Sequence, residues 1–184
     1  MKKILGIMGS PRKNGNTHVL LKTILEGVHE KGGETEMILL GDLEIKECDG
    51  CHTCWKGSEC MKKDDMLPLY LKLMNCDTII FGTPVYWYGP TGLMKLLIDR
   101  LVFFNCPQNR AKIRGKDAVL VIPFEEEDIQ TAELTVELFK RSLMYLEIPL
   151  IETILSPGVT KRGEVSKNKE LMRKCYRLVK DLIY

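Results

Sequence analysis

The stretch Ile4-Leu5-Gly6-Ile7-Met8-Gly9-Ser10-Pro11-Arg12-Lys13-Asn14-Gly15-Asn16-Thr17 decides how the rest of the chain is read. Its first five residues are an apolar run that reads as a strand, and beyond it Leu20, Leu21, Ile24, Leu25 and Val28 recur at helical spacing. Gly9 to Thr17 is therefore a strand-to-helix turn. Glycine gives the backbone freedom there, while Ser10, Asn14, Asn16 and Thr17 bring short hydrogen-bonding side chains to where the first amides of a helix lack partners. Together with the helix dipole and the Arg12 guanidinium, those amides would hold a phosphate. An ordinary capped turn requires neither an arginine nor the glycine pair Gly9 and Gly15. Neither Gly-x-Gly-x-x-Gly nor Gly-x-x-x-x-Gly-Lys-Ser/Thr is present, so a dinucleotide fingerprint and a triphosphatase loop are both excluded.

Strand and helix patterns alternate along the remaining chain. Strands are read near residues 3–8, 34–40, 77–82, 117–123 and 148–154, and helices near 16–31, 66–74, 90–104, 129–146 and 167–182. Residues 1–184 then form a single α/β domain, a doubly wound sandwich whose five-stranded parallel sheet takes the flavodoxin-like order 2-1-3-4-5. A cysteine-rich loop interrupts it at 47–61. In that order the ligand belongs above the carboxyl ends of strands one and three.

The loop after strand three meets this demand. Pro84-Val85-Tyr86-Trp87-Tyr88-Gly89-Pro90 places three consecutive aromatic residues where a loop tip usually exposes polar ones. Packing under the next helix accounts for one ring; three point to a flat apolar ligand or a subunit interface.

Lysine and arginine number 27 against 25 aspartate and glutamate, a net charge of +2. Such a balance supplies no basic field for nucleic acid and no polybasic membrane anchor. No apolar stretch reaches the roughly 18 residues of a membrane span, and the N-terminus has no secretion signal, so a cytoplasmic protein is expected.

Seven cysteines are present, and four of them, Cys48, Cys51, Cys54 and Cys60, crowd into thirteen residues. Cys76, Cys106 and Cys175 lie among apolar neighbours and read as small core residues. Gaps of two, two and five favour a loop wrapped round an iron-sulfur cubane, because a structural zinc site brings two close pairs separated by a longer excursion. Zinc or free redox thiols stay open on spacing alone.

The Gly-Ser-Pro-Arg and Gly-Asn-Thr segments, with the Pro84–Pro90 loop, Met94-Lys95 and Ile98-Asp99-Arg100, resemble the flavodoxin-like NAD(P)H-dependent FMN reductase superfamily. The cysteine gaps resemble those of its iron-sulfur flavoprotein branch. That resemblance implies an FMN site built from Ser10, Arg12, Asn14, Gly15, Asn16 and Thr17, from Pro84, Val85, Tyr86, Trp87, Tyr88 and Gly89, and from Phe124 in a third loop. The acidic run Glu125-Glu126-Glu127-Asp128 departs from the glycine-rich third loop of quinone-reducing relatives; an acidic run of this kind also suits a helix N-terminus. The resemblance further implies a [4Fe-4S] cluster on Cys48, Cys51, Cys54 and Cys60.

The expected activity is an FMN-dependent oxidoreductase, fed by NAD(P)H or ferredoxin and emptied by a small-molecule acceptor such as a quinone, free flavin or oxygen species. Catalysis then belongs to the cofactor rather than to a side-chain nucleophile. A homodimer or homotetramer is expected. Two other readings are an electron carrier without substrate turnover, which the charge of +2 disfavours against the acidic carriers of this fold, and a redox sensor switched at the cysteine loop.

Overall fold

The apolar runs become strands because alternate residues find a different helical layer on each face of one sheet. In chain order the elements are β1 (Lys3–Met8), α1 (Asn16–Glu30), β2 (Glu34–Leu39), α2 (Met66–Asn75), β3 (Thr78–Gly82), β4 (Val85–Tyr86), β5 (Gly89–Pro90), α3 (Gly92–Arg100), α4 (Pro107–Arg110), β6 (Asp117–Pro123), α5 (Glu133–Tyr145), β7 (Leu150–Ser156) and α6 (Lys169–Ile183). The structure is a computed structural model and describes residues 1–183. The main sheet is parallel throughout, in the order β2-β1-β3-β6-β7, while β4 and β5 form a separate hairpin. With the hairpin set aside, this is the expected order. The order in which successive strands are added reverses between β1 and β3, which opens a crevice at their carboxyl ends.

Leu5, Ile7, Ile79, Phe81, Leu120 and Ile122 pack with α2, α3 and α5, whereas Ile4, Met8, Ile80, Val119, Val121 and Ile154 pack with α1 and α6. The period of two along each strand thus builds two cores. Close approach across the sheet needs glycine at position 82, where a Cβ would lie 2.7 Å from Leu21 Cδ1 and 2.9 Å from Thr17 Cγ2. That contact seats the first turn of α1 against β3. Cys76, Cys106 and Cys175 are buried, as expected.

Three boundaries differ from the sequence reading, the first at the helix read near 129–146: Ile129–Ala132 form a 3₁₀ turn and α5 starts only at Glu133. Residues 90–104 are not one helix: α3 ends at Arg100 and a 3₁₀ turn follows over Leu101–Asn105. Tyr70 is the reason, since its hydroxyl donates to the Arg100 carbonyl at 2.9 Å while its ring stacks on Phe103 with centroids 4.1 Å apart. The last strand begins at Leu150, not 148. Glu147 takes a left-handed φ of 60° and the Ile148 amide donates back to Leu143 at 2.9 Å, so these residues close α5 before the strand starts. Among the described residues no helix is long and apolar enough to cross a membrane.

Candidate functional site

Loops from four strand ends enclose a cleft of ≈ 380 Å³, within the roughly 300–1,000 Å³ usual for small-molecule sites. Ser10, Arg12, Gly15, Asn16 and Thr17 line it from the first loop, Pro84, Val85, Tyr86 and Trp87 from the second, and Pro123, Phe124, Glu125 and Glu126 from the third. Val159 and Thr160, after β7, complete the wall. Asn14, Tyr88 and Gly89 belong to the same loops and do not line the cleft.

The ordinary capped turn, the alternative to a phosphate site, is not what α1 forms. Gly15 occupies the N-cap position and no side chain accepts from the first turn. The turn is too tight for anything else: the Gly15 amide donates to the Arg12 carbonyl at 3.0 Å, and a Cβ on Gly15 would lie 2.9 Å from that same oxygen. Two of the polar side chains are used elsewhere: Ser10 Oγ accepts the Arg12 amide at 3.2 Å and Asn16 Oδ1 accepts the Val165 amide at 3.3 Å. Asn14, at a left-handed φ of 60°, donates its backbone N–H to His18 Nδ1 at 2.9 Å. The leading amides of α1 are left for an external acceptor, where the dipole favours an anion. Ser10 and Thr17 are buried beside them and Arg12 is exposed at the rim.

The aromatic loop is a two-residue β-hairpin, pairing Val85 with Pro90 and Tyr86 with Gly89. Its turn residues Trp87 and Tyr88 have φ of 50° and 60°. Hairpins of this handedness usually recruit Asn-Gly, and a bulky residue there costs on the order of 1–3 kcal/mol. Burial does not offset the cost, because Trp87 is 96% exposed and Tyr86 and Tyr88 are exposed as well. Core packing therefore does not explain these rings.

The four clustered cysteines face a second, smaller cavity of ≈ 50 Å³, lined also by Lys62, Tyr70, Arg100 and Val102. The loop that carries them is closed at its stem by two aspartates: Asp65 Oδ2 accepts the Glu44 amide at 2.7 Å and Asp64 Oδ2 accepts the Lys46 amide at 2.9 Å. Cys48 and Cys51 are exposed, Cys60 half-buried and Cys54 buried. Burial pushes the Cys54 thiol up from its ordinary value, and the neighbouring Cys60, Cys48 and Cys51 add to the shift. Among the described residues no three histidine, cysteine or acidic side chains stand gathered round one point for a metal ion. Four thiols bordering one cavity are nonetheless a donor set of the kind a cubane takes, one sulfur to each iron.

A family model described as NADPH-dependent FMN reductase matches residues 2–149. The chain belongs to the NADPH-dependent FMN reductase family. It is 34% identical to an iron-sulfur flavoprotein of Archaeoglobus fulgidus over 163 residues, 89% of this chain and 80% of that one. An iron-sulfur flavoprotein of Methanocaldococcus jannaschii is 42% identical over 98 residues, 53% of this chain and 51% of that protein. Against such relatives the aligned stretch spans only about half their length. Among solved structures, the Trp repressor binding protein of Bacillus subtilis superposes with a TM-score of 0.73 at 20% identity, covering 96% of this chain and 99% of that one, which supports the flavodoxin-like fold. As a member of the FMN reductase family, the protein is an FMN-dependent oxidoreductase, and the residues lining its cleft are chemically suited to a phosphate at one end and a flat ring at the other.

Sequence reasoning missed several residues of these two sites. Val159 and Thr160 carry no local motif and enter only because β7 ends beside β6. The ion pair of Arg100 with Asp64 was also missed, although a signal existed: Arg100 lies three residues after Leu97, on the stripe that α3 buries.

Proposed function

We propose that this FMN enzyme holds its cofactor in the ≈ 380 Å³ cleft, with the phosphate on the α1 turn and the ring system along the aromatic hairpin. The observation that carries the reading is the uncapped N-terminus of α1 beside Ser10, Arg12 and Thr17. There, free amides and a guanidinium meet an anion without giving up an internal partner. Pro84, Val85 and Phe124 supply apolar contact, Tyr86 and Trp87 the flat faces, and the half-enclosed cleft leaves room for a nicotinamide donor or a small acceptor. Bound FMN would supply the exchange between two-electron and one-electron chemistry.

Cys48, Cys51, Cys54 and Cys60 would hold a [4Fe-4S] cluster, a reading supported by their common cavity and by relatives named iron-sulfur flavoproteins. Electrons would enter from NAD(P)H or ferredoxin and leave to a small molecule such as a quinone. The exposed Trp87 tip supports a homodimer or homotetramer in which that ring is covered by a second copy.

Protein purified anaerobically with iron and sulfide tests the whole proposal. Flavin absorption, iron and sulfide in near-equal amounts, and steady NAD(P)H oxidation with an added quinone are expected. Cys54→Ser should lose most iron and keep FMN. A colourless protein that does not take up FMN would sink the cleft assignment, and zinc or no metal in the wild type would sink the cluster.

A further inference from the structure

We propose that Arg100 is a positioning residue that raises the reduction potential of the cysteine site, by donating a fixed guanidinium N–H to the sulfur of Cys60. The inference rests on the cluster reading above and deepens it.

Arg100 and Asp64 are each 1% exposed in their side chains. Nη1 donates to Asp64 Oδ2 at 2.5 Å and to the Lys46 carbonyl at 2.8 Å. Nη2 donates to Asp64 Oδ1 at 3.1 Å and to Cys60 Sγ at 3.3 Å. The fork is thus held by two oxygens of one carboxylate and a backbone carbonyl, and one of its remaining hydrogens points at sulfur. The other free group, Nε, is buried with no partner.

A stability role alone accounts poorly for this arrangement. Withdrawing two charges from water costs about as much as their pairing returns, and apolar residues of equal volume often do better. An unpartnered buried N–H adds a further penalty of roughly 1–3 kcal/mol. The chain tolerates both costs at the wall of the cavity that the four thiols share. What the arrangement provides is a donor that cannot swing away from the sulfur. Asp64 neutralises the net charge, so the effect on Cys60 comes mainly from the directed N–H. Lys62, the other cation at this cavity, is paired with Asp49 on the exposed rim at 2.8 Å and is screened by solvent. Hydrogen bonds to the sulfurs of an iron-sulfur site stabilise its reduced, more negative state, which raises the potential.

The test compares wild type, Arg100→Lys and the neutral double variant Arg100→Gln with Asp64→Asn, each loaded anaerobically with iron and sulfide. Metal content is measured first, then the midpoint potential by mediated titration followed by electron paramagnetic resonance. We expect equal iron in all three and a more negative potential in both variants, by about tenfold in the one-electron equilibrium constant for the double variant, roughly 59 mV. Equal potentials in iron-loaded proteins would reduce Arg100 to a structural clamp. A folded variant that loses its iron would assign Arg100 to assembly rather than tuning and also overturn the proposal. Should the double variant not fold, Arg100→Lys decides, because it keeps a cation against Asp64 and loses the fork. Wild type without iron would instead overturn the cluster reading itself, and this inference with it.

Discussion

The hydroxyl of Thr91 donates to the carbonyl of Gly9 at 2.6 Å and accepts the amide of Met94 at 3.1 Å. One side chain therefore caps α3 and ties the Gly9–Thr17 turn to the end of the aromatic hairpin, with Thr91 itself 2% exposed. Thr91→Val keeps the shape and strands both groups, so unfolding free energy should fall by about 1–3 kcal/mol. Urea midpoints measure this, and Thr91→Ser should recover most of the loss.

Arg12 lies at the cleft rim and is exposed, so its removal takes nothing from either core. Arg12→Ala should weaken FMN binding by roughly 10- to 100-fold, the equivalent of one charged hydrogen bond. Titrating apoprotein with FMN by fluorescence gives the affinity, and the melting temperature of the apoprotein should not move. A change of melting temperature with unaltered affinity would place Arg12 in the fold rather than the site.

The turn at Trp87 and Tyr88 holds two aromatic residues at positive φ with little burial in return. Replacing the pair by Asn-Gly relieves that strain and should stabilise the protein by about 1–2 kcal/mol. The gain should come with slower flavin reduction or a smaller oligomer, read by stopped-flow absorbance and light scattering. Greater stability with no functional change would leave the rings without a role.

Burial alone would raise the Asp64 carboxyl, but hydrogen bonds from Arg100 and the Lys46 amide, with the guanidinium charge, reverse this and hold it below its ordinary 3.8. A carboxylate lowered on folding stabilises the native state above its unfolded pKa, and that contribution is lost as pH falls through the folded value. Wild type should therefore lose part of its stability below about pH 4. Asp64→Asn should be less stable at neutral pH and show a flatter decline in that acid window, when urea midpoints are compared across the range.

Much of the protein was legible in one dimension because its signals are local. Apolar runs separated by helical stripes at Leu20, Leu97 and Phe139 establish an alternating parallel fold, since parallel strands need a helical crossover of one hand. Within that fold the turn from Gly9 to Thr17 and the hairpin from Pro84 to Pro90 must meet at the β1/β3 crevice, and they do. The crowding of Cys48, Cys51, Cys54 and Cys60 likewise stands in the chain itself.

What the tertiary structure alone decided depends on partners far apart in sequence. Ser10, Asn14 and Asn16 look like caps, yet the close approach of Arg12 to Gly15 leaves room only for a residue without a side chain, so the helix end stays open. Trp87 could have been a core ring, and only the backbone path of its turn exposes it. Asp64 and Arg100 lie 36 residues apart, and Cys60 meets the guanidinium only because Asp64 and Asp65 close the cysteine loop at its stem. Sequence periodicity specifies which face of an element is buried; which charged group crosses that face, and what it touches there, is set by how the elements pack.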